Sequence, residues 1–289
     1  MIIIVIDKTW FLEKIKKFLS EDDSNKIKVD GSLIYDPEVL VGFVSGNDPI
    51  FEKYKDIIGS FHLTPAEAYS KYCERNKISC STKNLSVVAY ILPISQKTKK
   101  ENLEYSKEMP GERWAHTRLF GEEANQKLQK YLVSELKKEA RINAVAPMTE
   151  GYMFRIHRKH EKGVWASTWS HRHMAFAAGL GSFGLSDGFI NKRGIAMRCG
   201  SLIVDYKLPS DADKRPDDPY YYCTNCGICI DRCPVGAISY KTRHDKQKCS
   251  EHVMTTIPYI KNNYGINIYS CGLCQVGVPC ENGLPEETK

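Results

Sequence analysis

The chain has 289 residues, 42% of them hydrophobic and 26% charged, with a formal net charge of +6. These are the proportions of an ordinary globule with a sizeable core, and they exclude disordered, collagen-like and membrane-spanning chains. A mild, dispersed positive charge does not by itself argue for nucleic acid and suits an anionic cofactor or substrate equally well. The length fits one large domain with a small one, or two modest domains. The opening Met1–Asp7 is too short for a signal segment and lacks a cationic flank, and no run approaches a membrane span. A cytoplasmic protein is expected.

Taken in order, Trp10 to Leu19 carry Phe11, Leu12, Ile15, Phe18 and Leu19 at helical spacing, with Lys14, Lys16 and Lys17 mostly outside. A helix or loop–helix is expected over Asn47–Ser60. Thr64-Pro65-Ala66-Glu67 has the form of a capped helix start. That helix carries Cys73, with Cys80 following, both read as buried or incidental thiols. The β-branched run Leu85–Ile94 predicts a buried strand ended by Pro93. Ser95–Gly111, polar and rich in lysine, reads as a surface loop. A long helix is predicted from Glu112 to about Ile142, with a break near Gly121. Ala144–Pro147 and Gly151–Arg155 read as short strands, and strands alternating with helices predict an α/β layered domain. Leu208–Pro219, polar and punctuated by proline, is the expected linker, dividing the chain into residues 1–207 and 208–289.

Between these lies Trp169–Val204. Ser170 is placed to cap a helix with Ala175, Ala177 and Ala178 on its packing surface. The helix dissolves into Gly179-Leu-Gly181-Ser182-Phe-Gly184. Three glycines so close together suit a backbone that approaches something flat or phosphorylated, with Ser182 and Ser186 supplying hydroxyls. A glycine C-cap and tight turn is the competing reading, and it needs only one of those glycines. The dinucleotide fingerprint does not apply, because these glycines follow a helix instead of joining a strand to one.

Eight of the eleven cysteines fall between Cys223 and Cys280. They open as Cys223-x2-Cys226-x2-Cys229-x3-Cys233-Pro234, the spacing in which three thiolates hold one iron–sulfur cube and the fourth ligates a second. Cys223, Cys226, Cys229 and Cys280 are assigned to the first [4Fe-4S] cluster, and Cys233, Cys249, Cys271 and Cys274 to the second. Gly227, Gly272 and Gly277 let backbone N–H groups approach the sulfides. Zinc and disulfides compete for the same cysteines. Zinc sites, however, pair CxxC units across longer gaps, and disulfides need an oxidising compartment. Cys280 departs from the pattern, standing as Pro-Cys instead of Cys-Pro.

The Ala178-Gly-Leu-Gly-x-x-Gly184 loop, Arg172 a turn before it, the cysteine motif, the isolated Cys249 and Cys271-Gly-Leu-Cys274-Gln together resemble one family. It is the cobalamin-dependent iron–sulfur reductases, comprising epoxyqueuosine reductase and the reductive dehalogenases. The resemblance runs over roughly Trp169–Cys280. It implies an α/β (α+β) layered cobalamin-binding domain resembling flavin nitroreductases, followed by a small ferredoxin-like domain with two [4Fe-4S] clusters. It also implies Arg172, Gly179, Gly181, Ser182, Gly184 and Ser186 at the corrinoid, reduced ferredoxin or flavodoxin as electron donor, and a small-molecule or nucleoside-like substrate. The chemistry implied is reductive cleavage, with dehalogenation or deoxygenation as the outcome. The family's proton-donating Asp would fall at Trp165, so that role does not carry over. Tyr152, His157, His160 and Glu161 are weak candidates to replace it, and a solvated polar face accounts for any one of them as well. His171 and His173 lack the spacing of a metal pair and read as cofactor or core contacts, and Cys199 as a buried thiol. The chain stops soon after Cys280, so tRNA is not expected as a partner, nor is a membrane anchor. A ferredoxin-type electron-transfer protein, or an activator of another corrinoid protein, is the alternative.

Overall fold

The computed structural model describes residues 4–286, so the first three residues of the Met1–Asp7 segment lie outside it. Helix α1 (Lys8–Glu21) begins where the Asp7 side chain accepts from the Trp10 N–H at 2.9 Å. It turns Trp10, Phe11, Ile15, Phe18 and Leu19 inward. Strand β1 (Leu40–Ser45) and α2 (Ile50–Ile58) follow, then α3 (Pro65–Asn76), which opens with the full Thr64/Glu67 capping box. All nine residues of β2 (Leu85–Pro93) are buried.

Next come α4 (Gln96–Tyr105), the long α5 (Glu112–Ala140) and β3 (Ala144–Val145). The hairpin β4 (Ile156–His160)–β5 (Gly163–Ser167) leads to the short α6 (His171–Ala177). A second small hairpin, β6 (Gly181–Phe183)–β7 (Phe189–Asn191), precedes β8 (Met197–Asp205). Beyond it lie α7 (Ile228–Asp231), β9 (Ile238–Ser239), β10 (Arg243–His244) and α8 (Lys246–Tyr264).

The central sheet runs β1-β2-β8-β3, and every pair in it is antiparallel. Val88, Tyr90 and Leu92 of β2 face a core built with α1 and α5, including Phe11, Ile15, Leu128 and Leu132. Val87, Ala89 and Ile91 face a second core built with α2, α3 and α6, including Phe51, Tyr69, Met174 and Phe176. A strand covered on both faces has no polar side to show, which is why β2 is apolar except for Ser86, whose hydroxyl accepts from the Leu208 N–H at 2.9 Å. The protein is thus a mixed α/β structure of three layers, but its sheet is antiparallel and not the product of strand–helix–strand crossovers.

Four local expectations are corrected. Ser95–Gly111 is not a loop but contains α4, whose buried face is polar: Thr98, Lys99 and Asn102. Gly151–Arg155 is a turn, with the Met153 and Phe154 N–H groups donating to the Glu150 carbonyl, and the strands come after it. Helix α5 does not break at Gly121. There a side chain would crowd the Tyr35 hydroxyl, so glycine serves close packing and not a kink. Finally, Leu208–Pro219 is no free linker. Asp211 is 7% exposed and accepts from Lys8 Nζ at 2.7 Å, Lys214 Nζ at 2.6 Å and the Phe43 N–H at 3.0 Å. Arg215 adds a pair with Asp48 at 3.3 Å and donates to the Ala177 carbonyl at 3.2 Å.

The cysteine-rich segment docks on α4 and α5. Asn102 donates to the Cys271 carbonyl at 3.2 Å and Lys99 to Asn282 at 2.5 Å. The Tyr264 hydroxyl donates to the Pro110 carbonyl at 3.0 Å, and the Ile195 N–H donates to the Cys280 carbonyl at 2.8 Å. No helix among the described residues is long and apolar enough to cross a membrane.

Candidate functional site

Tight turns present the cysteines. Gly227 and Gly272 adopt φ values of +80° and +69°, and each opens a short helical turn between two ligand positions. A side chain at Gly272 would overlap the Trp114 indole, so glycine lets this turn lie flat on α5. The thiols fall into two groups. Cys223, Cys226, Cys229 and Cys280 share a cavity with apolar walls that include Leu185, Ile190, Ile195 and Val278. In that group burial pushes the Cys229 thiol up to about 11 and Cys280 up to about 12, and each neighbouring thiol adds to the rise.

In the second group burial raises Cys271 to about 11 against the opposing pull of the Leu273 N–H, and Cys249 and Cys233 add to the rise. Cys274 is raised further, by burial first and then by Cys271, Cys249, Cys229 and Cys233. Crowded, desolvated thiols resist ionisation on their own, and a cationic iron centre supplies the charge that would stabilise them as thiolates. No three His, Cys, Asp or Glu side chains among the described residues converge closely enough for a single metal ion. Eight cysteines gathered in one segment are a donor set that suits iron–sulfur ligation. The Ala237 N–H donates to Cys233 Sγ at 3.2 Å, the kind of contact that tunes a cluster.

Beside the second group opens a cleft of about 400 Å³. Trp114 and Gln275 bring the wall of that group to it, the indole lying on Gly272 and Gln275 following Cys274. Its apolar walls are Trp114, Phe154, Trp169 and Phe189, and its polar groups include Arg118, Glu122, His171, Arg172 and Arg198. Two further clefts, of about 530 and 500 Å³, adjoin it at Arg172 and run toward Lys246 at the start of α8. Arg172 donates to the Asp187 carbonyl and borders all three. Glu122 and Arg198 pair at 3.2 Å. Burial raises the Glu122 carboxyl, but Arg198 leads the charges that hold it below the usual value. Burial pushes the Cys199 thiol up to about 12, so it stands there as a protonated thiol.

The other glycine-loop residues lie elsewhere. At Gly179 a side chain would meet the Asp211 carbonyl at 2.7 Å, and at Gly181 it would overlap the Ile190 carbonyl. Ser182 is fully buried and accepts from the Tyr222 N–H at 2.9 Å. Gly184 and Ser186 line the cavity of the first cysteine group. The glycine spacing thus has a structural cause in the packed Leu208–Pro219 segment and the β6–β7 hairpin. Ser170 stands at the N-cap position of α6, but its hydroxyl pairs with His173 Nδ1 at 2.8 Å instead of with a backbone N–H.

Among the weak acid–base candidates, His157 stacks on Phe61 at 3.9 Å and His160 borders one outer cleft. Tyr152 is half-exposed beside Arg75, and Glu161 lies exposed in the β4–β5 turn. Glu122, Arg198 and Trp114, which do border the main cleft, carry no local signature, since their partners lie far away in the chain. Cys73 and Cys80 are brought into contact by the reversal after α3, where the Ile78 N–H donates to the Cys73 carbonyl at 3.1 Å.

A cobalamin would be anchored by groups that answer its amide fringe and its apolar ring faces. Arg118, Arg172, Ser170 and Gln275 over an aromatic floor supply those, but no single cleft would hold the whole molecule. It would have to span the wall that Arg172 shares.

Comparison with known proteins agrees with this architecture. Residues 222–279 match the family described as the 4Fe-4S double cluster binding domain. Epoxyqueuosine reductase of Staphylococcus aureus is 34% identical over 124 residues, which are 41% of this chain and 31% of that protein. The Bacillus anthracis epoxyqueuosine reductase is 30% identical over 121 residues, 40% of this chain and 30% of that protein. The chain thus spans under a third of the length of these relatives. A reductive dehalogenase whose structure suggests a mechanism for B12-dependent dehalogenation shares the fold, with a TM-score of 0.52 and 12% identity over 94% of this chain and 36% of that one. By these likenesses the chain carries a 4Fe-4S binding domain and, over about two fifths of its length, is similar to the epoxyqueuosine reductases.

Proposed function

We propose that the protein is an iron–sulfur reductase in which two [4Fe-4S] clusters deliver low-potential electrons to a corrinoid held where the clefts meet at Arg172. The observation that carries this reading is the contact of the second cysteine group with the cleft wall through Trp114 and Gln275. A bound corrinoid would supply a strongly reducing cobalt able to cleave a carbon–oxygen or carbon–halogen bond. The chain's own residues would do the rest. Trp114, Phe154 and Trp169 exclude water, Arg172 and Arg118 orient polar groups at the rim, and the Glu122–Arg198 pair sets the field within. The nitroreductase-like character of the first domain, the assignment of cysteines to clusters, the small-molecule substrate and a ferredoxin or flavodoxin donor belong to the same proposal.

A second reading is an electron-transfer protein without its own corrinoid. The packing of Gly179 and Gly181 against the chain's own backbone, instead of around a cradle, favours it.

Anaerobic spectra with iron and cobalt analysis separate the two. The protein would be reconstituted with iron, sulfide and cobalamin, then gel-filtered. About eight irons, as two cubes require, with one retained cobalt support the reductase. Full iron with no cobalt supports the second reading, and far less iron refutes the cluster assignment itself.

A further inference from the structure

His171 holds one end of a buried hydrogen-bond chain that fixes where its proton sits. Trp169 Nε1–H, a group that only donates, gives its hydrogen to Ser201 Oγ at 3.0 Å. Ser201 is fully buried, and its other side-chain contact among the described residues is His171 Nδ1 at 2.7 Å. The single Ser201 hydroxyl proton therefore has one place to go, onto Nδ1. If Nδ1 carried a proton instead, the serine hydroxyl would be a buried donor with no acceptor, a costly arrangement. Nδ1 accepts, so the ring proton is on Nε2.

His171 is 8% exposed, its ring borders the main cleft, and Nε2 is buried without a partner. We propose that His171 Nε2–H is a fixed, neutral hydrogen-bond donor for a carbonyl-type oxygen of whatever flat ligand occupies the cleft walled by Trp114, Phe154 and Trp169. Burial lowers the imidazole to about 4, in keeping with a ring that stays neutral. A neutral donor polarises an acceptor without delivering a full charge, which suits an amide, lactam or ketone oxygen. Such an oxygen could come from the amide fringe of a corrinoid or from a substrate. The inference rests on the cleft as ligand site and not on a corrinoid being there.

Oxindole and indole test it, being one bicyclic frame with and without a carbonyl oxygen. Equilibrium dialysis against the anaerobic, iron-loaded protein should show oxindole bound about three to ten times more tightly than indole. His171→Phe should bring the two to parity with iron content unchanged, and His171→Gln, which keeps a side-chain N–H, should restore part of the preference. Equal binding to the wild type, or a preference that survives in His171→Phe, overturns the proposal.

Should the variants misfold, the wild type alone decides. The oxindole preference should stay flat between about pH 5.5 and 8, and a change centred near the ordinary imidazole value of about 6.5 overturns it. Competition by cyanocobalamin separates the sources. Displacement of oxindole places the macrocycle's own amide at His171, and simultaneous binding places a substrate oxygen there. Failure of cyanocobalamin to bind at all counts against the corrinoid reading and leaves the oxindole comparison intact.

Discussion

Replacing Asp211 with alanine should release the strap over residues 207–219, and the structure sets the size of the effect. The carboxylate accepts from the Phe43 N–H at 3.0 Å, and its loss leaves a buried strand amide without an acceptor, worth about 1–3 kcal/mol. Its partners Lys8 and Lys214 have side chains 40% and 61% exposed, so solvent screens them and each adds only about 0.5 kcal/mol. The sum, about 2–4 kcal/mol, predicts that the strap opens about a hundred times more often. Limited trypsin digestion would read this directly, since Lys207 and Lys214 lie in the strap and precede residues other than proline. Cleavage that tracks the open population should speed up by that factor. Burial raises the Asp211 carboxyl, but Lys214, Lys8 and the Phe43 N–H together hold it below its ordinary 3.8. A carboxyl depressed on folding gives stability that is present above the unfolded value and lost as pH falls below it. The wild-type strap should therefore loosen below about pH 4 while the alanine variant shows no such step. Less than a fivefold change in cleavage at neutral pH would refute the reasoning.

Gly272→Ala should cost about 2–5 kcal/mol through its positive φ and its overlap with Trp114, read as a lower urea midpoint. His171, held near 4 against an ordinary value of 6.5, is neutral when folded. Its contribution is intact above pH 6.5 and falls away toward pH 4 by about 3 kcal/mol, so the stability difference between wild type and His171→Phe should shrink or invert over that range in denaturant titrations. Arg198→Met leaves Glu122 beside a buried imidazole without its cation and should cost about 1–3 kcal/mol, less in the double variant with Glu122→Gln. Alkylation mapped by mass spectrometry should label the exposed Cys80 readily, and Cys73 and Cys199 only on unfolding.

Local features with local causes were legible in the chain. The Thr64–Glu67 capping box, the inward face of α1 and the β-branched run of β2 each announce themselves within a few residues. The cysteine spacing did the same for the iron–sulfur segment, which matches a 4Fe-4S binding domain over residues 222–279. Features whose causes lie far off in the chain were not. Helix α4 has no apolar stripe because its inward Thr98, Lys99 and Asn102 meet groups such as Asn282 and the Cys271 carbonyl instead of a hydrophobic core, so periodicity had nothing to register. Asp211 looks like any acid in a proline-rich stretch until Phe43 and Lys8 are brought to it. The Gly179–Gly184 loop has the composition of a cofactor cradle, yet part of it answers to close packing under the strap. Arg172 was picked out by its place before that loop, whereas Glu122 and Trp114 sit inside an unremarkable amphipathic helix.

The docking of the cysteine segment on α4 and α5 bears on the order in which the molecule is completed. Cys280 joins Cys223, Cys226 and Cys229 across a long excursion of chain, and closing such a loop costs entropy that grows with its length. Here Tyr264 on the Pro110 carbonyl, Asn282 on Lys99 and the Ile195 N–H on the Cys280 carbonyl hold the excursion in place through contacts that involve no metal. The layer of α4 and α5 thus acts as a jig for the cysteine segment. Metal loading of this segment should depend on that packing, so damage to the hydrophobic layer beneath α5 should surface first as a failure to load iron, well before the rest of the protein unfolds.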